Sequence, residues 1–370
     1  MKKTLLITFD FFPSVGGVSY YWMKLAHAIG SSDFVVMAPP LPAGVQEMST
    51  SYPIVRLPFL SRVFRPAWVV LIINLLRVIK TQKPDVVIVG QILPVGTAVW
   101  ILSFFMKLPY VVSCHGMDIV HQKSTRKRWL MKSILSRASA VIVNSHYTAN
   151  ALESLDVSTS RISYVYPCPV NTPTATSSQS TQYKTGHTLL TVCRLVPRKG
   201  HEYVIQALPE VLKKYPDTHY VIVGDGPYQQ TLHSLVKELG LETSVRFMGA
   251  LPDQEVRAWY GQADVFVMTP VDIAGDVEGF GIVYLEANAF ALPVIATATG
   301  GVEEAVIDGQ SGIVVRQGEV SSISQAIVRL FDDPEYAHVL GRYGKERVLR
   351  DFSWNIQARN LINVIDRVKL

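Results

Sequence analysis

The chain has 370 residues, more than one ordinary hydrophobic core organises and well suited to two domains of common size. Hydrophobic residues make up 48% and charged residues 18%, which excludes a disordered chain and allows a large buried core. The net charge of +5 conceals an asymmetry: residues 1–185 hold 18 Lys/Arg against 7 Asp/Glu, and residues 186–370 hold 17 against 23. Either the basic half meets an anionic surface, or the halves differ only in solvated charge.

The opening stretch MKKTLLITFDFFP superficially resembles a signal peptide. Its apolar run is short, it contains Asp10 and no small-residue cleavage site follows closely, so a first β-strand over 4–9 fits better. Further strands are expected at 34–38, 86–89, 110–113 and 140–143, with helical stretches such as 19–29, 68–80 and 126–137 between them. Residues 86–106 carry no charge over 21 positions, enough to span a bilayer. Gly90, Gln91, Pro94 and Gly96 interrupt that run, which reads instead as strand, loop and buried helix; no transmembrane helix is predicted.

Residues 167–187 are rich in Pro, Ser and Thr and offer little to bury. The expected organisation is a first domain over 1–168, a linker over 169–187, a second domain over 188–351 and a terminal segment over 352–370. The second half repeats the alternation, with strands at 188–192, 219–223, 245–248, 265–268, 294–296 and 312–315. Helices are expected at 201–214, 228–239, 253–260, 281–290 and 320–331. Such alternation implies an α/β fold with parallel sheets covered on both faces. Ser353 is a candidate cap for an amphipathic helix to Leu370, which is free to cross back to the first domain. Cys114, Cys168 and Cys193 lack CxxC spacing and read as buried free thiols.

Ligands of open α/β sheets bind at the carboxyl ends of the strands, so the loops there carry the candidates. Gly16 and Gly17 open the first helix and suit either an anion or a simple turn. Gly224-Asp225-Gly226-Pro227 lacks the GxGxxG spacing, which argues against a nicotinamide cofactor. His115, in His115-Gly116-Met117-Asp118, follows a strand and is either a hydroxyl or charge contact or a structural histidine. Arg194 and Lys199 flank a tight loop shaped by Pro197 and Gly200, and the pair suits either a grip on a diphosphate, which the loop favours, or solvated surface charge.

The segment Glu278-Gly279-Phe280-Gly281-Ile282-Val283-Tyr284-Leu285-Glu286 is the strongest signal. Its glycines let backbone N–H groups at a helix start approach an oxygen. Glu278 lies before that helix, and Glu286 lies just over one turn inside it, in an apolar run where a carboxylate needs a partner. Gly300-Gly301-Val302-Glu303-Glu304 is a further junction suited to a phosphate cradle, and Asp264 a possible cap of the preceding helix. No DxD triplet, metal-ligand cluster, P-loop or nucleic-acid pattern is present in the sequence, so neither a cofactor, a metal nor a nucleic-acid partner is expected.

In their order along nearly the whole chain, these motifs resemble the family-four retaining glycosyltransferases of the GT-B fold: the glycine pair at 16–17, HGMD at 115–118, RLVPRKG at 194–200, VGDGP at 223–227, EGFGIVYLE at 278–286 and TGGVEEAV at 299–306. The resemblance implies two facing Rossmann-like domains, acceptor on the first and nucleotide-sugar donor on the second, with a C-terminal helix crossing back. It implies that Arg194 and Lys199 hold the donor diphosphate and that Gly17 approaches it on closure. Glu278 would contact the transferred sugar, Glu286 the ribose, and Gly279, Phe280, Gly281 and Ile282 would supply backbone donors. His115 would stand near the sugar, and the base would dock beside Met248, Ala250 and Leu251. Cys193 departs from the Gly or Ser common before that Arg.

Within the family the Glu278 segment resembles bacterial mannosyltransferases acting on phosphatidylinositol mannosides. GDP-mannose is the donor this implies, with a UDP-hexose or UDP-HexNAc as the alternative; an epimerase, a phosphorylase or a non-catalytic nucleotide-sugar-binding protein would share the architecture. The implied reaction is metal-independent transfer with retention. A lipid-linked or cell-envelope glycan is the expected acceptor, and the cytoplasm, at the inner face of the membrane, the expected location. Lys123 to Trp129, followed by Leu130, Met131, Ile134 and Leu135, forms a basic amphipathic pattern suited either to an anionic membrane or to a packed helix with a solvated basic side.

Overall fold

The computed structural model describes every residue except 15, 62–64, 117, 118, 120–123, 174–185 and 370. Met117, Asp118, Lys123 and most of the anticipated linker therefore lie outside the described residues. The chain divides into two compact units, Met1–Pro167 with Trp354–Leu370, and Cys168–Ser353.

The first unit is built on a seven-stranded parallel sheet. Its strands are β1 (Thr4–Ile7), β2 (Phe34–Ala38), β3 (Ile54–Arg56), β4 (Val86–Val89), β5 (Tyr110–Cys114), β6 (Ala140–Val143) and β7 (Ile162–Tyr164), in the order β3-β2-β1-β4-β5-β6-β7. The inner strands β1, β2, β4 and β5 are buried at every position, as expected of a sheet covered on both faces. The edges β3 and β7 are three residues long and only half-buried, and neither was anticipated from sequence. The uncharged run resolves into β4, a short turn of helix at Ile92–Gly96 and the helix Thr97–Leu102. Among the described residues no helix is long and apolar enough to cross a membrane.

Two cores cover this sheet. One face packs the helices Val69–Gln82, Thr97–Leu102 and Thr125–Arg137. The other packs Gly17–Ile29 together with the last helix, Trp354–Arg367, whose Ala358, Leu361, Val364 and Ile365 share a core with Trp22, Leu25 and Ala26. The C-terminal helix therefore returns to the first unit.

The second unit carries six parallel strands: β8 (Thr188–Val192), β9 (His219–Val223), β10 (Val245–Gly249), β11 (Val265–Val267), β12 (Val294–Thr297) and β13 (Gly312–Val315). Their order is β10-β9-β8-β11-β12-β13. All six match expected strands to within a residue. Asp264 does not merely end a helix: its carboxylate accepts the N–H of Thr188 at 2.8 Å and pins the start of β8. All three cysteines are free thiols; Cys114 and Cys168 are buried and Cys193 is half-buried.

Candidate active site

In the second sheet the chain leaves β8 toward β9 and β10, then returns to lay β11 on the other side of β8. The pair β8/β11 is thus a topological switch point, where the following loops part and leave a crevice. The loop after β8 is laced to its neighbours by backbone hydrogen bonds. Cys193 N–H donates to the Val223 carbonyl at 3.0 Å, Leu195 N–H to Asp225 at 2.8 Å, and Tyr228 N–H to Leu195 at 3.1 Å. Gly224 lies so close to the Cys193 carbonyl, and Gly226 to that of Leu195, that a Cβ would collide. The VGDGP motif is therefore a packing device for the loop bearing Arg194. Gly200, at φ 71°, presses likewise on the Thr269 carbonyl, and Val271 N–H donates to Arg198 at 2.9 Å, which joins the loop after β8 to the loop after β11.

Glu278 lies where these loops meet. Its Oε2 accepts from Lys199 Nζ and, at 2.9 Å, from Arg198 Nη1. Arg198 Nε stands 3.1 Å from Asp276 Oδ1. Burial by itself raises the Glu278 pKa, but Lys199 and Arg198 together outweigh it and hold the group below its ordinary value, so it is an anion at neutral pH. The Glu278 carbonyl accepts Gly301 N–H at 2.9 Å, with Gly300 at φ 56° packed against the same carbonyl. The glycine pair 300–301 thus holds the Glu278 loop in place. Gly281, at φ 83°, precedes the helix Ile282–Ala289, whose first N–H groups have no partner within the helix. Phe280 is buried and Gly279 half-buried in the approach.

Arg194 is exposed on the same loop, while Lys199 is engaged with Glu278. Sequence reasoning passed over Arg198; the signal was its place inside the one-turn helix Pro197–Lys199, beside a lysine already singled out. The departure at Cys193 leaves the loop ordered, its thiol 3.3 Å from His201 Nε2. Met248 is near the end of β10 and Ala250 and Leu251 follow it, at the same carboxyl edge of the sheet, tied in by Gly224 N–H donating to Gly249 O at 2.7 Å.

The partner demanded by Glu286 is the start of the chain's own second unit. Oε1 accepts N–H groups of Val170 at 3.1 Å and Asn171 at 2.9 Å, and Oε2 accepts the Tyr260 hydroxyl at 2.9 Å. The Asn171 amide lies 3.4 Å and 3.5 Å from the two oxygens. Burial pushes the Glu286 pKa up against the pull of these donors. Neither Tyr260 nor Asn171 had been marked in the sequence.

In the first unit the switch point lies between β1 and β4. There Gln91 donates to Asp10 Oδ2 at 2.8 Å and to Thr8 Oγ1 at 2.9 Å, and accepts Phe9 N–H at 3.1 Å. Gly16 precedes, and Gly17 begins, the helix Gly17–Ile29, which has no acidic residue in its first turn. His115 follows β5, with Nε2 3.2 Å from Ser113 Oγ and its ring edge-on to Tyr21. Burial pushes its pKa down to about 4, so the imidazole is neutral at neutral pH.

His201, behind the cation loop, has its pKa pushed down to about 3 by burial and by Lys199. The stability of the neutral ring is fully present above the unfolded value of 6.5 and is lost as pH falls toward 3, because only the unfolded chain takes up the proton. Each such pH unit costs about 1.4 kcal/mol per buried neutral histidine. Urea unfolding at pH 7.5, 6 and 5 is expected to show a steeper acid loss for the wild type than for His201→Gln; equal slopes would refute the assignment.

Residues 15–172 match the family described as Glycosyltransferase Family 4, and residues 174–347 that described as Glycosyl transferases group 1. The GDP-mannose-dependent alpha-(1-6)-phosphatidylinositol monomannoside mannosyltransferase of Mycolicibacterium smegmatis is 32% identical, across 98% of this chain and 97% of its own. The GDP-mannose-dependent monoacylated alpha-(1-6)-phosphatidylinositol monomannoside mannosyltransferase of Corynebacterium glutamicum is 30% identical, across 98% of each. In fold the chain is similar to sucrose-phosphate synthase from Thermosynechococcus elongatus, with a TM-score of 0.83 at 23% identity over 99% of both chains. Anabaena HepE gives 0.81 at 19% identity over 98% of this chain and 99% of its own. The chain belongs to the family-four and group 1 glycosyltransferases and is a glycosyltransferase of the GT-B fold.

Proposed function

We propose that the chain transfers mannose from GDP-mannose to a lipid-linked or cell-envelope glycan acceptor, with retention of configuration and without a metal. The observation that carries this reading is the anionic Glu278, buried at the switch point and clasped by Arg198 and Lys199 beside an exposed Arg194. An ionised carboxylate there accepts hydroxyls of a hexose, and the neighbouring cations supply counter-charge for a departing diphosphate. The donor and acceptor class rest on relatives matched over nearly the full chain, whose names specify GDP-mannose and a phosphatidylinositol monomannoside.

Gly279 to Ile282 offer the positive end of a helix to the same anion. In the proposed step the acceptor oxygen bonds to the anomeric carbon as the bond to the diphosphate breaks. The acceptor proton passes to the departing phosphate oxygen on the same face, which leaves the configuration unchanged. Arg194 and Lys199 stabilise that leaving group. His115 serves a hydroxyl as a neutral donor and Met248 to Leu251 read the base, while Glu286, its oxygens engaged by Val170, Asn171 and Tyr260, acts by holding those groups in place. A lipid-borne acceptor puts the work at the cytoplasmic face of a membrane.

A thermal-shift series with GDP, UDP, GDP-mannose and UDP-glucose tests the donor, since stabilisation rises with the logarithm of a ligand's concentration over its Kd. GDP and GDP-mannose are expected to give the largest shifts; preference for UDP compounds would overturn the donor. Transfer is expected to survive EDTA and to give an α-linked product by NMR. Full turnover by the Arg194→Ala/Glu278→Ala double variant would sink the site assignment.

A further inference from the structure

Three cations, Arg194, Arg198 and Lys199, share the loop after β8 with two carboxylates, Asp276 and Glu278, set against it. Lys199 has two calls on it. Its ammonium is bound to Glu278, the carboxylate read as the sugar contact, and it is also read as a grip on the departing diphosphate. It cannot serve both in full. An ammonium is a point charge on a flexible stem with rotating donors, so it passes readily from a carboxylate to a phosphate within reach. Once it does so, Glu278 keeps one cation, Arg198.

Arg198 is held far more firmly. Its Nε stands 3.1 Å from Asp276 Oδ1 while Nη1 donates to Glu278 Oε2 at 2.9 Å, so the guanidinium spans both carboxylates. Its carbonyl accepts the N–H of Val271 at 2.9 Å. Asp276 in turn closes a tight turn. Its N–H donates to the Ile273 carbonyl at 3.0 Å, and Asp272 Oδ1 accepts the N–H of Gly275 at 2.7 Å. Gln317, in the loop after β13, anchors that turn by accepting Asp272 N–H at 2.9 Å and donating to the Ala298 carbonyl at 2.7 Å. A planar fork fixed at both ends moves aside only if both ion pairs break.

We propose that Arg198 is the positioning residue for Glu278: Lys199 passes to the diphosphate when the donor binds, and Arg198, braced by Asp276, alone keeps the carboxylate aimed at the sugar. This division of labour deepens the reading of Glu278 as a sugar contact and rests on it. It assigns Lys199 to one half of a nucleotide sugar and Arg198 to the other. Of the other titratable groups beside Glu278, Cys193 and Tyr284 are kept protonated by burial and supply no substitute cation.

The test compares GDP, which has the diphosphate and no sugar, with GDP-mannose, in wild type and in Arg198→Gln, Arg198→Lys, Asp276→Asn and Lys199→Ala. By thermal shift, GDP is expected to bind Arg198→Gln like wild type and Lys199→Ala about tenfold more weakly. With GDP-mannose, kcat is expected to fall about 10²-fold in Arg198→Gln, as for a misplaced contact, and by less in Asp276→Asn. The acid limb of kcat separates positioning from packing. Glu278 must be ionised to accept a hydroxyl, and Arg198 helps to hold its pKa below the ordinary 4.5. In Arg198→Gln the buried carboxylate loses that cation, so activity should be lost about one pH unit higher or more. Arg198→Lys keeps the charge but cannot span both carboxylates; its limb should stay near that of wild type while kcat is only partly restored.

A loss of GDP binding in Arg198→Gln as large as in Lys199→Ala would make Arg198 a phosphate ligand and overturn the proposal. Wild-type turnover or an unmoved acid limb in Arg198→Gln would do the same. Should that variant not fold, Asp276→Asn decides, because it leaves the Arg198–Glu278 pair in place, and a wild-type kcat there would overturn the brace. Should UDP compounds bind in place of GDP compounds, the donor reading falls, and the same comparison of UDP with UDP-glucose decides the role of Arg198.

Discussion

Lys199→Ala is expected to lower transfer by about 10²–10³-fold, the loss typical when one preorganised donor to a developing charge is removed. It is also expected to destabilise the fold. Lys199 and Arg198 share one oxygen of a buried carboxylate, and removing one partner of a buried pair commonly costs about 3–5 kcal/mol. The loss should fall at the lower end because Arg198 still holds the carboxylate. A second variant separates the two effects: Lys199→Ala/Glu278→Gln removes the stranded charge, so melting should recover much of the way while turnover stays low. Contacting residues couple, so the double change should be less damaging to stability than the sum of the singles. Differential scanning calorimetry with a GDP-release assay checks both; wild-type melting by Lys199→Ala would show that the pair contributes nothing to the fold. The acid dependence has a definite sign. Because the cations depress the Glu278 pKa, its stability contribution is present above the ordinary value of 4.5 and is lost as pH falls through its folded pKa.

Glu286→Ala is expected to be the most destabilising single change in the second unit. It strands the N–H groups of Val170 and Asn171 and the hydroxyl of Tyr260, and each buried unsatisfied donor costs about 1–3 kcal/mol. Glu286→Gln keeps one acceptor oxygen and should lose about half as much. Its pH behaviour is opposite to that of Glu278. Burial raises the Glu286 pKa, so its contribution is fullest below 4.5 and is lost as pH rises through the folded value. The melting deficit of Glu286→Gln relative to wild type should therefore narrow from pH 5 to pH 8. A widening deficit would mean that the carboxylate is held ionised by its donors.

The inner strands were legible because burial on both faces demands unbroken β-branched runs such as Val86–Val89. The edges were not: Ile54–Arg56 and Ile162–Tyr164 are short, half-exposed and indistinguishable from loop. The helix Pro334–Asp351 was not anticipated, and Gly341 and Gly344, residues that disfavour helix, lie inside it. In the structure they are points of close approach, where a Cβ would strike the Ala291 carbonyl and the Asn288 side chain. At the site, residue types marked the two glutamates and the cation loop. What sequence did not reveal was pairing at a distance: Glu286 meets Asn171 across 115 positions, and Arg198 meets Glu278 across 80.

The last helix has a consequence for how the molecule comes into being. Trp354–Leu370 belongs to the unit that Met1 begins, and Lys2 reaches Asp366 through its N–H at 3.3 Å and its ammonium at 3.0 Å. During synthesis the unit over Cys168–Ser353 has its whole sequence available while the unit begun earlier still lacks the wall that covers Trp22, Leu25 and Ala26. The part made first is therefore the part finished last. A stop codon near residue 353 would spare the later unit and leave the earlier one with an open apolar flank.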